Sequence, residues 1–286
     1  MTNSKVLFLD LVSRINLKAQ QEEIRSMAYI VLEELFAVSK TEILLGREVE
    51  VTDTQIKLLE DIIGRINTAE PIQHILSITE FYGRKFYVDN KVLIPRPETE
   101  ELVSHVINHI RGRTDNQATR VLDIGTGSGC IPVTLSLEIP GTETFASDIS
   151  DAALDVARRN SNKWNARVEF VKHDILNEAI PIHDLDVVVS NPPYIARSEL
   201  KGMDKNVIDF EPHLALFVPD EDPFIFYRNI AAKAKVVLRT NGLLEVEINA
   251  RFGKEVASVF SAHGYLDIQV IRDVSGNERF VRGIVG

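Results

Sequence analysis

A short turn, Asn191-Pro192-Pro193-Tyr194, combines the residue types that are needed to hold a flat amino group. The side-chain oxygen of Asn191 and the carbonyl of Pro192 or Pro193 accept hydrogen bonds, and neither proline has a backbone donor. The ring of Tyr194 can cover the face of a planar group. The turn could therefore bind both hydrogens of an –NH2 group. The alternative is an ordinary tight turn at the end of a strand.

A glycine-rich segment, Gly125-Thr126-Gly127-Ser128-Gly129, is a second candidate site. Glycines at alternate positions allow the backbone to approach a ligand closely. The spacing does not match the dinucleotide fingerprint, because the third glycine of that motif would fall on Cys130 or Pro132. The lysine of the phosphate-loop motif is also missing. We therefore expect a ligand other than a pyrophosphate.

Two acidic residues further along the chain suggest a nucleoside. Asp148 ends the next predicted strand and could accept from both hydroxyls of a ribose. Asp174 follows a third strand and could accept from an exocyclic amine, with Ile175 beside the base. A nucleoside with a small charged tail over the glycines fits S-adenosylmethionine. The alternative is a generic glycine loop in an α/β domain without catalytic activity.

These candidate residues follow strands of a predicted α/β fold. Apolar runs alternate with helical patterns, which indicates βαβ units and a mostly parallel sheet with right-handed crossovers. We expect the last two strands to close one edge of the sheet. The predicted strands are residues 120–124, 142–146, 168–171, 185–189, 242–248, 266–273 and 279–285, and the predicted helices between them are 130–137, 151–162, 224–238 and 252–262.

The chain is predicted to contain two domains joined by a linker. Residues 1–74 show helical spacing of apolar residues and no strand pattern, which predicts a helical bundle. This bundle either has only polar outer faces or carries a partner-binding surface. Residues 75–94 predict a hairpin linker that turns at Gly83-Arg84, and residues 95–286 form the α/β domain.

The composition limits the possible functions. A chain of 286 residues with 44% hydrophobic content can bury a sizeable core, and its net charge of −10 argues against a surface that binds nucleic acid phosphates. The single cysteine, Cys130, excludes an internal disulfide and a cysteine metal cluster. Asp10 and Arg14 interrupt the early apolar run, which argues against a signal peptide, and no run approaches the ~20 residues that span a bilayer. We expect a cytoplasmic protein.

The motifs together resemble a known family. Asp123-x-Gly125-x-Gly127-x-Gly129 followed by Asn191-Pro192-Pro193-Tyr194 resembles class I methyltransferases that act on exocyclic or amide nitrogen. Residues 80–86 and 92–100 are similar to the linker of the release-factor glutamine methyltransferases. This resemblance implies a class I, Rossmann-like methyltransferase fold with a mostly parallel seven-stranded sheet and a small N-terminal helical-bundle domain that helps to hold a protein substrate.

The resemblance also implies an activity and a set of site residues. The implied enzyme uses S-adenosylmethionine and no metal to methylate the glutamine side chain in the Gly-Gly-Gln motif of peptide chain release factors. The glutamine would be held by Asn191, Pro192, Pro193 and Tyr194. The cofactor would be held by Gly125, Thr126, Gly127, Ser128, Gly129, Asp148, Asp174, Ile175 and Asn191.

The sequence departs from the family pattern at three places. Ser77 and Asn249 stand where glycine is common, and residues 217–224 are acidic and contain proline. We expect none of these segments, including Glu247-Ile248-Asn249, to contact the chemical core.

Two other functions are compatible with the motifs. An adenine-N6 methyltransferase acting on DNA or RNA would hold the same kind of flat amino group, with the base flipped into the site. The acidic charge and the lack of a basic, aromatic target-reading region argue against it, so we expect no stable nucleic acid binding and no membrane binding. A non-catalytic nucleoside-binding scaffold would have no use for the acceptor residues beside the glycine loop.

Overall fold

A computed structural model describes residues 1–113 and 118–286, which form two compact units. The first unit consists of residues 1–78 and 204–210, and the second of residues 79–203 and 211–286. From Thr79 onward the predicted linker segment belongs to the second unit, where Phe81 and Phe86 are buried. The limits given above, 1–74, 75–94 and 95–286, stay a prediction.

The first unit is mainly helical. Its apolar core includes Leu11, Val31 and Ile66, and helix starts are capped at Ser39 and Thr52, whose side chains accept from the third backbone amide of each helix. The prediction of helices alone is wrong at Glu48–Val49, because this short strand pairs with Thr2–Asn3 in antiparallel fashion. The elements are β1 (Thr2–Asn3), α1 (Ser4–Arg14), α2 (Gln21–Phe36), α3 (Lys40–Leu45), β2 (Glu48–Val49), α4 (Asp53–Asn67), α5 (Ile72–Leu76) and, later in the chain, α9 (Lys205–Phe210).

The second unit alternates strands and helices. In chain order its first elements are β3 (Thr79–Phe81), β4 (Arg84–Phe86), α6 (Pro97–Arg111), β5 (Arg120–Ile124), α7 (Cys130–Glu138), β6 (Glu143–Asp148), α8 (Asp151–Trp164), β7 (Val168–Lys172) and β8 (Leu185–Ser190). They are followed by β9 (Ile195–Ala196), a 3₁₀ helix (Arg197–Gly202), α10 (His213–Leu216), β10 (Phe217–Val218), α11 (Ile225–Val237), β11 (Leu238–Glu247), α12 (Gly253–Ala262), β12 (Tyr265–Arg272) and β13 (Glu278–Val285).

The main sheet confirms the predicted α/β fold. Its seven strands have the order β12-β13-β11-β8-β5-β6-β7. The pairs from β11 to β7 are parallel, whereas β13 is antiparallel to both β11 and β12. Of the two last strands only β12 forms the edge, because β13 lies between β12 and β11. Because β5, β6, β8 and β11 are parallel, their carboxyl ends lie together along one end of the sheet, called its carboxyl edge below.

Both faces of this sheet are covered by apolar side chains. Along β8, Val188 belongs to a core cluster with residues of α11 and α12, while Val187 and Val189 belong to a cluster with residues of α6 and α7. Every residue of β8 is buried, as expected for a central parallel strand with helices on each side. No helix of the described ranges is long and apolar enough to cross a membrane.

The hairpin between β3 and β4 turns one residue earlier than predicted. Tyr82 and Gly83 both have positive φ, 51° and 69°, and Phe81 pairs with Arg84. Positive φ at both central residues is typical of the type I′ turns that connect antiparallel strands. The prediction of a turn at Gly83-Arg84 is wrong because the glycine occupies the second turn position, not the first.

Candidate functional site

One cleft at the carboxyl edge of the sheet brings most of the predicted site residues together. Its lining includes Gly125, Gly127, Asp148, Asp174, Ile175, Asn191 and Pro193. The remaining predicted residues do not line this cleft. Thr126, Ser128 and Pro192 are buried, Gly129 packs against a helix, and Tyr194 lines a neighbouring groove.

The glycine loop between β5 and α7 has two kinds of glycine. All three have positive φ, between 53° and 76°. A Cβ added at Gly125 or Gly127 would meet open space within the cleft, whereas a Cβ at Gly129 would lie 2.9 Å from the Cβ of Ala157 on α8. The first two glycines therefore leave room for a ligand, and the third allows α7 and α8 to pack closely.

Asp148, at the end of β6, is held in a fixed orientation beside the glycine loop. Its Oδ2 accepts from the backbone N–H of Gly127 at 2.9 Å, and its Oδ1 accepts from that of Ser150 at 2.9 Å. Burial raises the pKa of Asp148, and these backbone donors partly oppose that rise. Each carboxylate oxygen retains a lone pair, so Asp148 can still accept hydroxyl hydrogens from a ribose.

Asp174 and Ile175 lie farther along the same cleft. Asp174 accepts from the side chain of Asn177 at 2.7 Å and from the backbone N–H of Leu176 at 2.9 Å, and the bond from Asn177 lowers its pKa. Apolar side chains complete this end of the cleft, and sequence reasoning missed Leu93, Ile149 and Phe226. Ile149 could have been found, because it directly follows Asp148. The other two reach the cleft only through tertiary folding.

Asp123 is a further residue that sequence reasoning left without a role. Its side chain is fully buried at the end of β5, and neither carboxylate oxygen has a hydrogen-bond partner among the described residues. Burial raises its pKa to about 7. An unpaired buried carboxyl next to the glycine loop favours a ligand with positive charge. Together with the open space at Gly125 and Gly127, it fits the charged tail of S-adenosylmethionine.

A buried hydrogen-bond network holds the side chains of the Asn191–Tyr194 turn. Asn191 Nδ2 donates to Thr99 Oγ1 at 3.1 Å, and Thr99 Oγ1 donates to Glu247 Oε2 at 2.8 Å. The hydroxyl of Tyr194 donates to Glu247 Oε1 at 3.3 Å. The Asn191 amide group is thereby engaged through its nitrogen, which leaves Oδ1 as an acceptor at the cleft.

This network corrects one expectation and adds two residues. The segment 247–249 was expected to lie away from the chemical core, and that is wrong for Glu247, which bonds to Tyr194 directly. Thr99 was also missed. No sequence pattern links it to Glu247, since the two residues are 148 positions apart and meet only because α6 packs near the end of β11.

Glu211 joins two loops beside the cleft. Its side chain is buried, and Oε1 lies 2.6 Å from Nη2 of Arg96 while Oε2 accepts from the backbone N–H of Ile94. The next residue, Pro212, lines the cleft. Arg96 therefore holds the loop before α6 against the loop that carries Pro212.

The neighbouring groove is more polar. Tyr194 lines it together with Asn249, Arg251 and Arg279. The turn Asn191–Tyr194 thus separates the two depressions, with Asn191 and Pro193 on the cleft side and Tyr194 on the groove side.

Comparisons with known proteins show similarity in domains, in sequence and in fold. The family "Methyltransferase small domain" matches residues 99–208, and "PrmC N-terminal domain" matches residues 14–76. A release factor glutamine methyltransferase of Bacteroides thetaiotaomicron is 40% identical over 91% of this chain and 92% of its own length. One of Flavobacterium psychrophilum is 37% identical over 92% of each chain. A methyltransferase structure from Pyrococcus furiosus shares the fold, with a TM-score of 0.52, 17% identity and coverage of 79% of this chain and 99% of that one.

Proposed function

The chain belongs to the release factor glutamine methyltransferase family, and from this premise we propose that it transfers a methyl group from S-adenosylmethionine to a glutamine side chain. The proposed target is the amide nitrogen of the glutamine in the Gly-Gly-Gln motif of peptide chain release factors. The observation that carries the proposal is the Asn191 side chain, whose nitrogen is bonded to Thr99 so that its oxygen remains an acceptor beside a nucleoside-sized cleft. Since release factors act on the ribosome, the proposed location is the cytoplasm.

The cleft residues suit the parts of the cofactor. Asp148 would accept from the ribose hydroxyls, Asp174 would accept from the adenine amine, and Ile175 would pack beside the base. The loop Gly125–Gly129 would hold the charged tail, because its first two glycines leave space and the ionised form of Asp123 would supply a negative charge next to the loop. When bound, the cofactor supplies a methyl group on a sulfonium, which is already electrophilic.

The residues of the Asn191–Tyr194 turn act on the nucleophile. An amide nitrogen is a weak nucleophile because its lone pair is delocalised into the carbonyl. Asn191 Oδ1 and the carbonyl of Pro192 or Pro193 would accept the two amide hydrogens and so fix the direction of the nitrogen. As the new N–C bond forms and the C–S bond of the sulfonium breaks, positive charge grows on the nitrogen, and the two acceptors would stabilise it until the nitrogen releases one proton to water. Pro193 keeps the turn rigid, and the ring of Tyr194 covers the plane of the amide.

The first prediction tests Asn191. We expect Asn191→Ala to bind S-adenosylmethionine with nearly normal affinity in calorimetry, while methylation of a release factor falls ~10²–10³-fold, as when one preorganised polar contact is removed from other enzymes. Asn162→Ala, on the exposed face of α8, is the matched control and should retain full activity. A parallel loss of cofactor affinity would mean that Asn191 contacts only the cofactor.

A substrate comparison separates the proposal from an adenine-N6 methyltransferase. Purified protein is incubated with labelled S-adenosylmethionine and, separately, with a release factor, double-stranded DNA and ribosomal RNA. The proposal expects label only in the release factor, on the glutamine of its Gly-Gly-Gln motif, as located by mass spectrometry of the digested product. Label in either nucleic acid instead would overturn it.

A further inference from the structure

We propose that Glu247, acting through Thr99, is a positioning residue that sets which way the side-chain amide of Asn191 faces. The inference rests on the proposed function for its catalytic meaning, but the hydrogen-bond network is observed in the structure whatever the activity is. Glu247 lies at the end of β11 and is 1% exposed, and Thr99 on α6 is 3% exposed, so water does not compete for their contacts.

The direction of each hydrogen bond follows from the number of protons available. An ionised carboxylate only accepts, so the single proton of the Thr99 hydroxyl points to Glu247 Oε2, 2.8 Å away. The Thr99 oxygen then has only lone pairs to offer to Asn191. It accepts from Nδ2 at 3.1 Å, and the amide cannot turn over without placing its oxygen against another acceptor. One carboxylate thus determines that Oδ1 of Asn191 faces the cleft.

The same carboxylate fixes the other side of the turn. The hydroxyl of Tyr194 donates to Glu247 Oε1 at 3.3 Å, so both oxygens of Glu247 are in use. The Asn191 acceptor that would hold the substrate amide and the Tyr194 ring that would cover it are therefore both held in place by the buried carboxylate of Glu247. Shared anchoring of this kind reduces the freedom of both side chains before substrate binds.

If Glu247 lost its charge, the orientation of the Asn191 side-chain amide would no longer be fixed. A glutamine at 247 can either accept from Thr99 or donate to it through its own amide group. In the second case the Thr99 hydroxyl donates to Asn191 instead, and the Asn191 amide turns its two N–H donors toward the cleft. Donors there would oppose the hydrogens of a substrate amide, so that fraction of the enzyme would be inactive.

Protonation of Glu247 should have a similar effect. Burial raises its pKa to about 7, with Arg279 on β13 opposing the rise and Glu98 on α6 adding to it. Tyr194 and Tyr227 also face the group but stay neutral in this range, because burial raises the pKa of each. A protonated Glu247 can donate to Thr99, so the methylation rate should decrease as pH falls through about 7.

The variants Glu247→Gln and Thr99→Val, and their combination, test the inference. Two matched controls remove comparable groups outside the network. Glu245→Gln changes a fully buried carboxyl on the same strand that pairs with His105, and Thr134→Val changes a fully buried hydroxyl on α7. Thermal unfolding and cofactor affinity of all variants are measured alongside the rates.

Two readouts are used, and one does not depend on methyl transfer. We expect kcat to fall about 10-fold in each single variant, the size of one net hydrogen bond, and the double variant to be no worse than the poorer single one. With S-adenosylmethionine at saturating concentration, the decrease in kcat below neutral pH should disappear in Glu247→Gln. Hydrogen exchange of the Asn191 side-chain amide, assigned with Asn191→Ala and followed by NMR on isotope-labelled protein, should accelerate in both single variants and in neither control.

These outcomes distinguish the two proposals. If the unmodified protein methylates no release factor, the proposed function fails, and the exchange measurement still decides the positioning role. Unchanged Asn191 exchange in Glu247→Gln, losses of kcat that add in the double variant, or equal losses in the Glu245→Gln control would overturn the inference.

Discussion

At the scale of single residues, two buried carboxyls of the site, Asp123 and Glu247, are in opposite situations. Asp123 has no hydrogen-bond partner among the described residues, whereas both oxygens of Glu247 accept hydrogen bonds from protein side chains. Burial raises the pKa of each to about 7. The first is suited to receive a cation, and the second to hold neighbouring side chains in place.

Asp123 leads to a prediction about proton uptake and release. A cationic cofactor tail above the glycine loop would favour the ionised carboxylate, so binding should release a proton from the fraction of Asp123 that is protonated. Affinity for S-adenosylmethionine should therefore increase as pH rises through about 7. Calorimetry in two buffers with different heats of ionisation measures how many protons are released when S-adenosylmethionine binds. Equal heats in both buffers, or a pH dependence that survives in Asp123→Asn, would contradict this role.

At the scale of elements, the glycine loop performs two tasks that mutagenesis can separate. Gly129→Ala should lower the free energy of unfolding by about 2 kcal/mol, since it combines left-handed backbone with a Cβ only 2.9 Å from that of Ala157. Gly127→Ala has similar backbone strain but no clash, so its stability loss should be nearer 1 kcal/mol. Its added methyl enters the cleft, and cofactor affinity should fall about 10-fold.

Urea unfolding and calorimetry of the two glycine variants check this prediction. The decisive result is whether Gly129→Ala loses mainly stability while Gly127→Ala loses mainly cofactor affinity. If both variants lose stability and affinity to the same extent, the division of the loop into a ligand-facing part and a packing part is incorrect.

The elements also show what the sequence could and could not reveal. Apolar runs identified the strands of the sheet because central parallel strands are buried on both faces, as Val187, Val188 and Val189 are. The position of β13 inside the sheet could not be read in the same way, because strand order depends on pairing between distant segments. Ser77 has φ 55° at the end of α5, which gives a physical reason for the glycine that is common there in the family.

In the site too, some residues could be proposed from the sequence and others could not. Asp148, Asp174 and Asn191 could be proposed from the sequence because each lies at or just after the carboxyl end of a strand, and these ends share one edge of a parallel sheet. Thr99 and Glu247 were not, since their contact joins residues 148 positions apart and depends on how α6 packs. Whether the predicted residues bind the cofactor and the glutamine stays a prediction that the variants above address.

At the scale of the whole molecule, the raised pKa values make stability depend on pH. Glu247 holds its proton more tightly when folded, with a pKa of about 7 against an ordinary value of 4.5. This raised pKa stabilises the folded protein fully when the pH is below 4.5, and the stabilisation is lost as pH rises through about 7. The size for this one group is on the order of 3 kcal/mol.

Comparison of the unmodified protein with Glu247→Gln isolates this contribution, because all other titrating groups are shared. Those groups include His109, whose pKa is lowered by burial and which acts in the opposite direction. Unfolding by denaturant at about pH 5.5 and about pH 8 should show the unmodified protein gaining stability relative to the variant at the lower pH. A difference that is independent of pH would show that Glu247 does not hold a raised pKa in the folded protein.

The antiparallel placement of β13 has a consequence for how the protein is made. A ribosome delivers β12 before β13, yet β12 pairs only with β13 in the finished sheet. Until residues 278–285 have left the exit tunnel, β11 has no strand partner on this side and its backbone N–H and C=O groups face solvent. Closure of this side of the sheet therefore waits for the last strand to emerge, and until then the nascent chain exposes strand edges that other chains can bind.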